Sequence, residues 1–348
     1  MGHAHTAIED PSSLMNDTLV LRCLAALLIV NSHLEGFYPI RQLAADGLLG
    51  DSLFFLLSGW GLVLSERRSR RDFPRWYARR SARLHPSIFL VVFLFDYLPH
   101  SGWSSWSLAD YLLNFGWGRS YGFVGQILTF YVLFFGIMRC GSRTLFLAAL
   151  SALFLPYAAL PILGRSDALF HAFHWIFYFQ MMLFGGWLAL SPEPIAPGGV
   201  RELMALLGLM SLYVATRVAS ASGRLGGAIF PPHLLIFPIT YALLRLARAD
   251  WLEQGLRKTP GLSRAVGWIG GSTLEIYLIH YQVLGLRPVT SLAFPLNVVA
   301  ILIVSVVLAR LLALAAGWLR DASRWDGPWG GSPRPRGLAN LDGARVAQ

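Results

Sequence analysis

One apolar stretch near the start of the chain, LRCLAALLIVNSH, contains two side chains that can do chemistry, Arg22 and His33. Eleven residues separate them, which in a helix is close to three full turns and about 16 Å, so both project from one face. A guanidinium can stabilise negative charge, and an imidazole can exchange a proton near neutral pH. The alternative is structural: an Arg that extends to a membrane surface and a His hydrogen-bonded to a neighbouring helix.

A second candidate is the arginine cluster in WYARRSARLHP. Arg80 and Arg83 are three residues apart and share a helix face, and Arg79 precedes them. Paired guanidinium groups at a membrane surface can bind phosphate oxygens in a bidentate manner. The alternative is a positively charged anchor that contacts anionic lipid. For most arginines of this region we favour the anchor, and for the R-x-x-R cluster we favour phosphate binding.

A third candidate is the late apolar stretch STLEIYLIHYQVL, which contains Glu275 and His280. A carboxylate in an apolar span needs a partner, and ionisable groups there are functional candidates. A structural hydrogen bond explains these two residues as well as a catalytic role does. His171 and His174 are three residues apart, but no third ligand accompanies them, so we predict no metal site.

Composition indicates the environment in which these residues work. Of the 348 residues, 55% are hydrophobic and only 14% are charged, whereas soluble domains carry about 25% charged residues. The formal net charge is +10, but the basic residues lie between apolar runs, as in membrane proteins, so nucleic acid is not an expected partner. The chain is therefore predicted to be an all-α polytopic membrane protein.

A helix that crosses a bilayer needs about 20 mostly apolar residues, and about ten such transmembrane helices, packed in one bundle, are predicted. They are 17–37, 46–65, 84–99, 122–139, 143–163, 168–190, 200–219, 226–247, 267–286 and 294–319. The run 105–117 is short and rich in Trp, so we interpret it as an interfacial or re-entrant segment.

The distribution of arginines predicts the orientation. Eight arginines lie between positions 67 and 83, directly after the second predicted span, and positive residues accumulate on the cytoplasmic side. Both termini are then cytoplasmic. We predict a cytoplasmic N-terminal tail (1–16), a transmembrane domain (17–319) and a disordered cytoplasmic tail (320–348) rich in Gly, Pro, Arg and Asp.

These residues together resemble the acyltransferase-3 family of integral membrane O-acyltransferases, over positions 20 to 285. Four stretches match its motifs in order: LRCLAALLIVNSH with Arg22 and His33, GLLGDSLFFLLSGWGL with Phe54, Phe55, Ser58 and Gly59, FPRWYARRSARLHP with Arg80 and Arg83, and GGSTLEIYLIHYQVL with Tyr277 and His280. A looser match is GQILTFYVLF, around Phe130 and Tyr131. The chain departs from the family where Gln282 follows Tyr281 in place of a proline.

The resemblance implies transfer of an acyl group, most commonly acetyl, from cytoplasmic acyl-CoA to a hydroxyl of a cell-envelope carbohydrate. It implies that His33 removes the hydroxyl proton, and that Arg22 orients the donor or stabilises developing charge. The donor-binding residues would be Arg79, Arg80 and Arg83. The residues that support the site or contact substrate would be Ser58, Glu275, Tyr277 and His280.

The resemblance also implies a place for the protein in the cell. It implies a multi-pass protein of the bacterial inner (plasma) membrane that uses acyl-CoA as donor substrate, with acetyl-CoA the first candidate, and no metal. Membrane lipids, the carbohydrate acceptor and polysaccharide-assembly proteins are the expected partners.

Two other functions fit a ten-helix protein with buried ionisable residues: transport of a polysaccharide or lipid-linked sugar, and a non-catalytic scaffold for polysaccharide assembly. Transport needs a polar path, and the sequence has few mid-span charges and no internal repeat. We therefore favour the acyltransferase. Transfer of an acyl group from acyl-CoA by the purified protein distinguishes it from both alternatives.

Overall fold

The computed structural model describes residues 11–44, 47–99, 106–156, 167–222, 224 and 230–322. Every regular element in these ranges is helical, which confirms the all-α fold class. The α-helices are α1 (Pro11–Ser32), α2 (Gly47–Arg68), α3 (Phe73–Val91), α4 (Leu108–Tyr111), α5 (Gly122–Arg139), α6 (Arg143–Ala152), α7 (Asp167–Ala189), α8 (Val200–Ala221), α9 (Phe230–Ala247), α10 (Asp250–Lys258), α11 (Pro260–Gly271), α12 (Thr273–Leu284), α13 (Arg287–Thr290) and α14 (Leu296–Ala322). Two 3₁₀ turns (Glu35–Phe37 and Arg41–Leu43) and two π-helical segments (Val92–Tyr97 and Leu112–Gly116) complete them.

Several described helices have the length and composition of membrane spans. Four are long and apolar enough to cross a bilayer: Gly47–Arg68, Gly122–Arg139, Val200–Ser220 and Leu296–Asp321. Shorter apolar helices cover Thr18–Ser32, Arg143–Ala152 and Pro232–Ala247. The chain is therefore a helical membrane protein, and the total of about ten spans stays a prediction.

The first and third helices differ in their bounds from the predicted spans. Helix α1 begins at Pro11, six residues before the predicted span, and ends at Ser32 rather than at position 37. The chain then turns, because the backbone amides of His33 and Leu34 bond to carbonyls only three residues back, which tightens the last turn. Helix α3 begins at Phe73 with a proline in its first turn, a position that proline favours, so the arginine cluster is helical.

The predicted ninth span, 267–286, is wrong as a single helix, because it is divided into α11 and α12 at Ser272. Ser272 has φ −117° and ψ 27°, outside the helical region. The residues before the break are Gly270 and Gly271, and glycine is among the poorest helix formers. Apolar residues lie on both sides of the break, which is why the sequence indicated one span.

The segment between α3 and α5 consists of short pieces. Helix α3 continues as the π-helix Val92–Tyr97, and α4 continues as the π-helix Leu112–Gly116. The amide and hydroxyl of Ser107 donate to Asp110 at 3.0 and 2.7 Å, and these bonds hold the pKa of the Asp110 carboxyl below its usual value. Residues 100–105 lie outside the described part, and the interfacial or re-entrant position of 105–117 stays a prediction.

Helix α1 lies centrally, with α2, α9, α11 and α12 around it. Ala25 and Ala26 of α1 are buried, and Gly270 of α11 packs directly on the backbone carbonyl of Leu19. Small residues let helix backbones approach closely, which is how helices associate in lipid. Predicted tail residues 11–16 and 320–322 are helical, while residues 1–10 and 323–348 lie outside the described part.

The closest approach between α2 and α7 occurs at two glycines. A methyl group added at Gly59 would overlap the carbonyl oxygen of Met182, and one added at Gly185 would overlap the carbonyl of Leu56. The two backbones therefore touch without intervening side chains. This contact lies in the middle of the largest buried cluster of the described residues, which also includes Phe55 and Phe134.

We expect Gly59→Ala to destabilise the protein by about 1–3 kcal/mol, because two backbones must separate to admit the methyl group. The measurement is the unfolding temperature of the detergent-purified protein. Gly61→Ala is the matched control on the same helix, since nothing lies within 4 Å of a Cβ at Gly61. Equal unfolding temperatures for the two variants would contradict the predicted backbone contact.

Candidate functional site

His33 meets two residues of α12 at the end of α1. The Tyr281 hydroxyl lies 3.0 Å from Nε2 of His33, and the His33 and His280 rings are 5.0 Å apart between centroids. His33 is exposed, Tyr281 is 45% exposed, and His280 is fully buried. We call His33, His280 and Tyr281 the histidine site. It combines an accessible imidazole with a phenol that holds it in place.

The hydrogen bonds of His280 define its tautomer. Its Nδ1 lies 2.7 Å from the carbonyl oxygen of Tyr277 and 3.2 Å from that of Ile276. Carbonyl oxygens only accept, so Nδ1 carries a proton and donates. Nε2 is buried and has no hydrogen-bond partner among the described residues. His280 is therefore oriented by its backbone hydrogen bonds and packed against His33.

Aromatic rings connect the histidine site to the rest of the bundle. Tyr277 packs on the His280 ring at 5.7 Å and on Phe123 of α5 at 4.4 Å. Phe123 in turn packs on Phe54 and Phe55 of α2 at 4.8 and 4.9 Å. Ring pairs at these separations add stability beyond the area they bury. The Phe-Phe motif of α2 thus supports the site through α5 without contacting the histidines itself.

Arg22 does not lie at the histidine site; it lies near the arginines of α3. Arg22, Arg80 and Arg83 all interact electrostatically with Tyr131 of α5, whose side chain is buried, and Arg22 also interacts with Arg83. We call Arg22, Arg80 and Arg83 the arginine site. Three like charges around one phenol repel one another. Such a cluster is a favourable place for an anion.

Arg80 is the best anchored member of the arginine site. Its guanidinium donates to the Ser65 hydroxyl at 2.7 Å and lies 5.8 Å from the centre of the Trp76 ring, within the range of a cation–π contact. Trp76 itself packs on Tyr131. Arg83 and Arg79 are exposed, and among the described residues Arg79 has no hydrogen bond or ion pair.

The two sites are thus separated along α1. Arg22 and His33 are eleven residues apart in this helix and its final turn, which corresponds to about 16 Å. The structure joins Arg22 with Arg80 and Arg83, and it joins His33 with His280. It does not bring Arg22 and His33 to one point.

Two predicted supporting residues lie apart from both sites. Glu275 accepts a hydrogen bond from the Ser87 hydroxyl of α3 at 2.7 Å and lies in the first turn of α12, where the helix dipole favours a carboxylate. Ser58 is half-buried next to Gly59. Among the described contacts, none joins Glu275 or Ser58 to His33 or Arg22. Their roles in function stay predictions.

The structure adds Tyr281, Tyr131 and Ser87 to the residues that the sequence singled out. Tyr281 is four residues after Tyr277, so the two share a helix face. This spacing is the sequence feature that could have indicated Tyr281 as a site residue. Tyr131 lies in the loosest of the matched motifs. Ser87 carries no sequence signal, because only the packing of α3 on α12 brings it to Glu275.

The described residues contain no group of three or more His, Cys, Asp and Glu side chains placed to hold a metal ion. His174 packs near His233, with ring centroids 5.8 Å apart. The side chain of His171 lies outside the described part of the structure.

Comparison with known proteins gives one match. The family model of the acyltransferase-3 group, described as an acyltransferase domain, matches residues 19–316. No curated protein and no solved structure matches the chain. The matched range contains the histidine site and the arginine site.

We expect Ser87→Ala to destabilise the protein by about 1–3 kcal/mol, because Glu275 then loses its hydrogen-bond donor in a half-buried place. Ser81→Ala is the matched control on the same helix, since the buried Ser81 hydroxyl has no partner among the described residues. Unfolding temperatures of the two purified variants provide the comparison. A control that loses as much stability as Ser87→Ala would show that the hydrogen bond contributes nothing.

Proposed function

Because the chain belongs to the acyltransferase-3 family, we propose that this membrane protein transfers an acyl group, with acetyl the first candidate, from acyl-CoA to a hydroxyl of a cell-envelope carbohydrate. In this reaction the carbonyl carbon loses its bond to the CoA sulfur and gains one to the acceptor oxygen. The acceptor proton ends on the CoA thiolate. The products are an ester and free CoA.

The observation that carries the proposal is the division of polar residues between two places along α1: Arg22, near the start of its apolar part, and His33, just after its last residue. The phosphates of CoA and its thioester are at opposite ends of the pantetheine arm, so an enzyme must bind the phosphates at one place and do chemistry at another. The arginine site and the histidine site offer two such places about 16 Å apart. This arrangement favours donor binding over charge stabilisation as the role of Arg22.

The arginine site is suited to the phosphate end of the donor. Guanidinium groups bind phosphate oxygens in a bidentate manner, and the three positive charges favour an anion that offsets their repulsion. Arg80 is held by Ser65 and Trp76, so it is preorganised. Arg83 and Arg79 are exposed and are placed to contact a donor that arrives from the solvent.

The histidine site is suited to proton transfer. His33 takes the proton of the acceptor hydroxyl as its oxygen attacks the thioester, and it returns that proton to the departing thiolate. Tyr281 bonds to the His33 ring and fixes its orientation. His280 packs against the rings of His33 and Tyr281 and completes the polar cluster.

The two sites also suit the predicted orientation. With the N-terminus inside, the arginine site lies on the cytoplasmic side of the histidine site, nearer to acyl-CoA. The histidine site lies towards the outer end, where an exported glycan is accessible. We propose a multi-pass protein of the bacterial inner membrane with about ten spans, surrounded by membrane lipids and working beside polysaccharide-assembly proteins.

We expect His33→Ala to lower transfer from radiolabelled acetyl-CoA to envelope glycans by about 10²–10⁴-fold, the usual contribution of a general base. Tyr281→Phe keeps the ring but removes the hydroxyl, so its effect is smaller, about tenfold. Both variants are compared with wild type at equal amounts of membrane-inserted protein. Undiminished transfer by His33→Ala would exclude His33 as the base.

We expect Arg80→Gln to weaken the binding of CoA by about tenfold or more, because a charge-assisted hydrogen bond to phosphate is lost. Arg75→Gln is the matched control on the same helix, since it removes the same charge from a side chain that is 83% exposed and lies outside the arginine site, and exposed charges contribute little. The measurement is equilibrium binding of radiolabelled CoA to purified protein. Equal losses in the two variants would indicate a general charge effect rather than an organised site.

A further inference from the structure

A cavity of about 230 Å³ opens beside the histidine site. Three segments line it: the π-helix after α3, the turn that leads into α5 with the first residue of that helix, and α12. The polar residues of its wall are Asp96, Ser120, Tyr121, Tyr277, Tyr281 and Gln282. Nothing in the predicted site accounts for Asp96, Tyr121 or Gln282.

The cavity adjoins the proposed base through one shared residue. Tyr281 lines the cavity and also places its hydroxyl 3.0 Å from His33. Tyr277 lines it as well and packs on His280. A molecule in the cavity therefore lies next to the histidine site and needs only to extend past Tyr281 to reach His33.

The chemistry of the wall selects a neutral, hydroxyl-rich ligand. The amide of Gln282 donates to the Tyr121 hydroxyl at 3.2 Å, and phenol, amide and carboxylate groups together supply both donors and acceptors for ligand hydroxyls. The described residues of the lining include no Arg, Lys or His, and the carboxylate of Asp96 disfavours an anion. The phosphates of CoA are thus poorly suited to this cavity.

The shape of the cavity limits the size of the ligand. Its volume is below the roughly 300–1,000 Å³ of pockets that bind drug-sized molecules, so it suits one ring rather than a chain of rings. Tyrosine faces provide apolar surface for the C–H groups of a ring, while their hydroxyls remain available for polar contacts.

Local backbone irregularity creates the space. Asp96 lies in the π-helix Val92–Tyr97, a form that is rare and often occurs at functional sites. Gly122 is the first residue of α5 and also lines the cavity. A Cβ at Gly122 would meet nothing within 4 Å, so this position has room for a side chain at the cavity wall.

We propose that this cavity binds a single neutral sugar ring of the acceptor, with Asp96, Tyr121 and Gln282 selecting its hydroxyls and Tyr281 separating it from His33. The proposal rests on the proposed acyl transfer, because it supplies that reaction with its acceptor. It concerns a binding step, however, which is measurable without acyl-CoA.

The test is the binding of methyl glycosides to the purified protein, with methyl glucoside, galactoside, mannoside and rhamnoside as neutral probes and methyl glucuronide as the anionic one. Gly122→Leu introduces a side chain at the cavity wall. Gly136→Leu is the matched control, because Gly136 lies on the same helix outside the cavity and a Cβ there also meets nothing within 4 Å. Elution volume and unfolding temperature show whether each variant is folded.

We expect at least one neutral glycoside to bind wild type and Gly136→Leu equally, and Gly122→Leu at least tenfold more weakly, with the glucuronide weaker than its neutral counterpart. If Gly122→Leu is misfolded, Gln282→Ala replaces it, and a loss on the order of tenfold is expected. The proposal is overturned if no neutral glycoside binds, or if the folded cavity variant binds as wild type does.

Acyl transfer is then measured with the glycoside that binds. Cavity-dependent binding without release of CoA from acetyl-CoA or succinyl-CoA would leave the sugar site in place and refute the proposed reaction. Acyl transfer to envelope glycans with the same KM for the acceptor in Gly122→Leu and wild type would keep the reaction and refute the sugar site. The two proposals therefore fail separately.

Discussion

The position of α1 depends on backbone contacts with glycines of its neighbours. Gly270 of α11 lies on the carbonyl of Leu19, and Gly50 of α2 lies against Ala25 and Ile29. In lipid there is no hydrophobic drive between helices, so association depends on such close packing. Because α1 is packed against backbone on two sides, Arg22 in its middle and His33 just after its last residue are held in position.

The polar residues gather where the apolar bundle can tolerate them. Arg22, Arg80 and Arg83 share one buried phenol, Tyr131, and His33 and His280 share Tyr281. Ionisable groups are expensive in a membrane interior unless they are paired or hydrated. Separation into two centres keeps three positive charges away from the imidazoles, and in the proposed reaction it divides anion binding from proton transfer. The break between α11 and α12 contributes to this arrangement, because α12 then packs against α1 and α3 as a separate helix.

The cavity beside Tyr281 connects these centres to substrate choice. The donor end of the proposed reaction consists of arginines, and the acceptor end consists of phenols, an amide and a carboxylate. A wall of hydrogen-bonding groups discriminates strongly between ligands with and without matching hydroxyls, since an unmatched ligand leaves buried polar groups unpaired. Gln282, where the sequence departs from the motif that it otherwise resembles, lies in that wall.

The sequence by itself determined the fold class, the membrane environment and the candidate residues, because these follow from composition, apolar run length and motif order. It also indicated that Arg80 and Arg83 share a helix face. Helix ends depend on more than composition: His33 lies beyond α1, and Ser272 divides a mostly apolar stretch. Hydropathy does not register such breaks, since they depend on backbone geometry.

Only the tertiary structure decided which residues meet. The pairing of Tyr281 with His33 joins positions 248 apart in the chain, and that of Ser87 with Glu275 joins positions 188 apart. No periodicity carries such information, because the distance between two helices depends on side-chain volumes at every contact along them. The same holds for the cavity, which exists only where a π-helix, a glycine and three tyrosines meet.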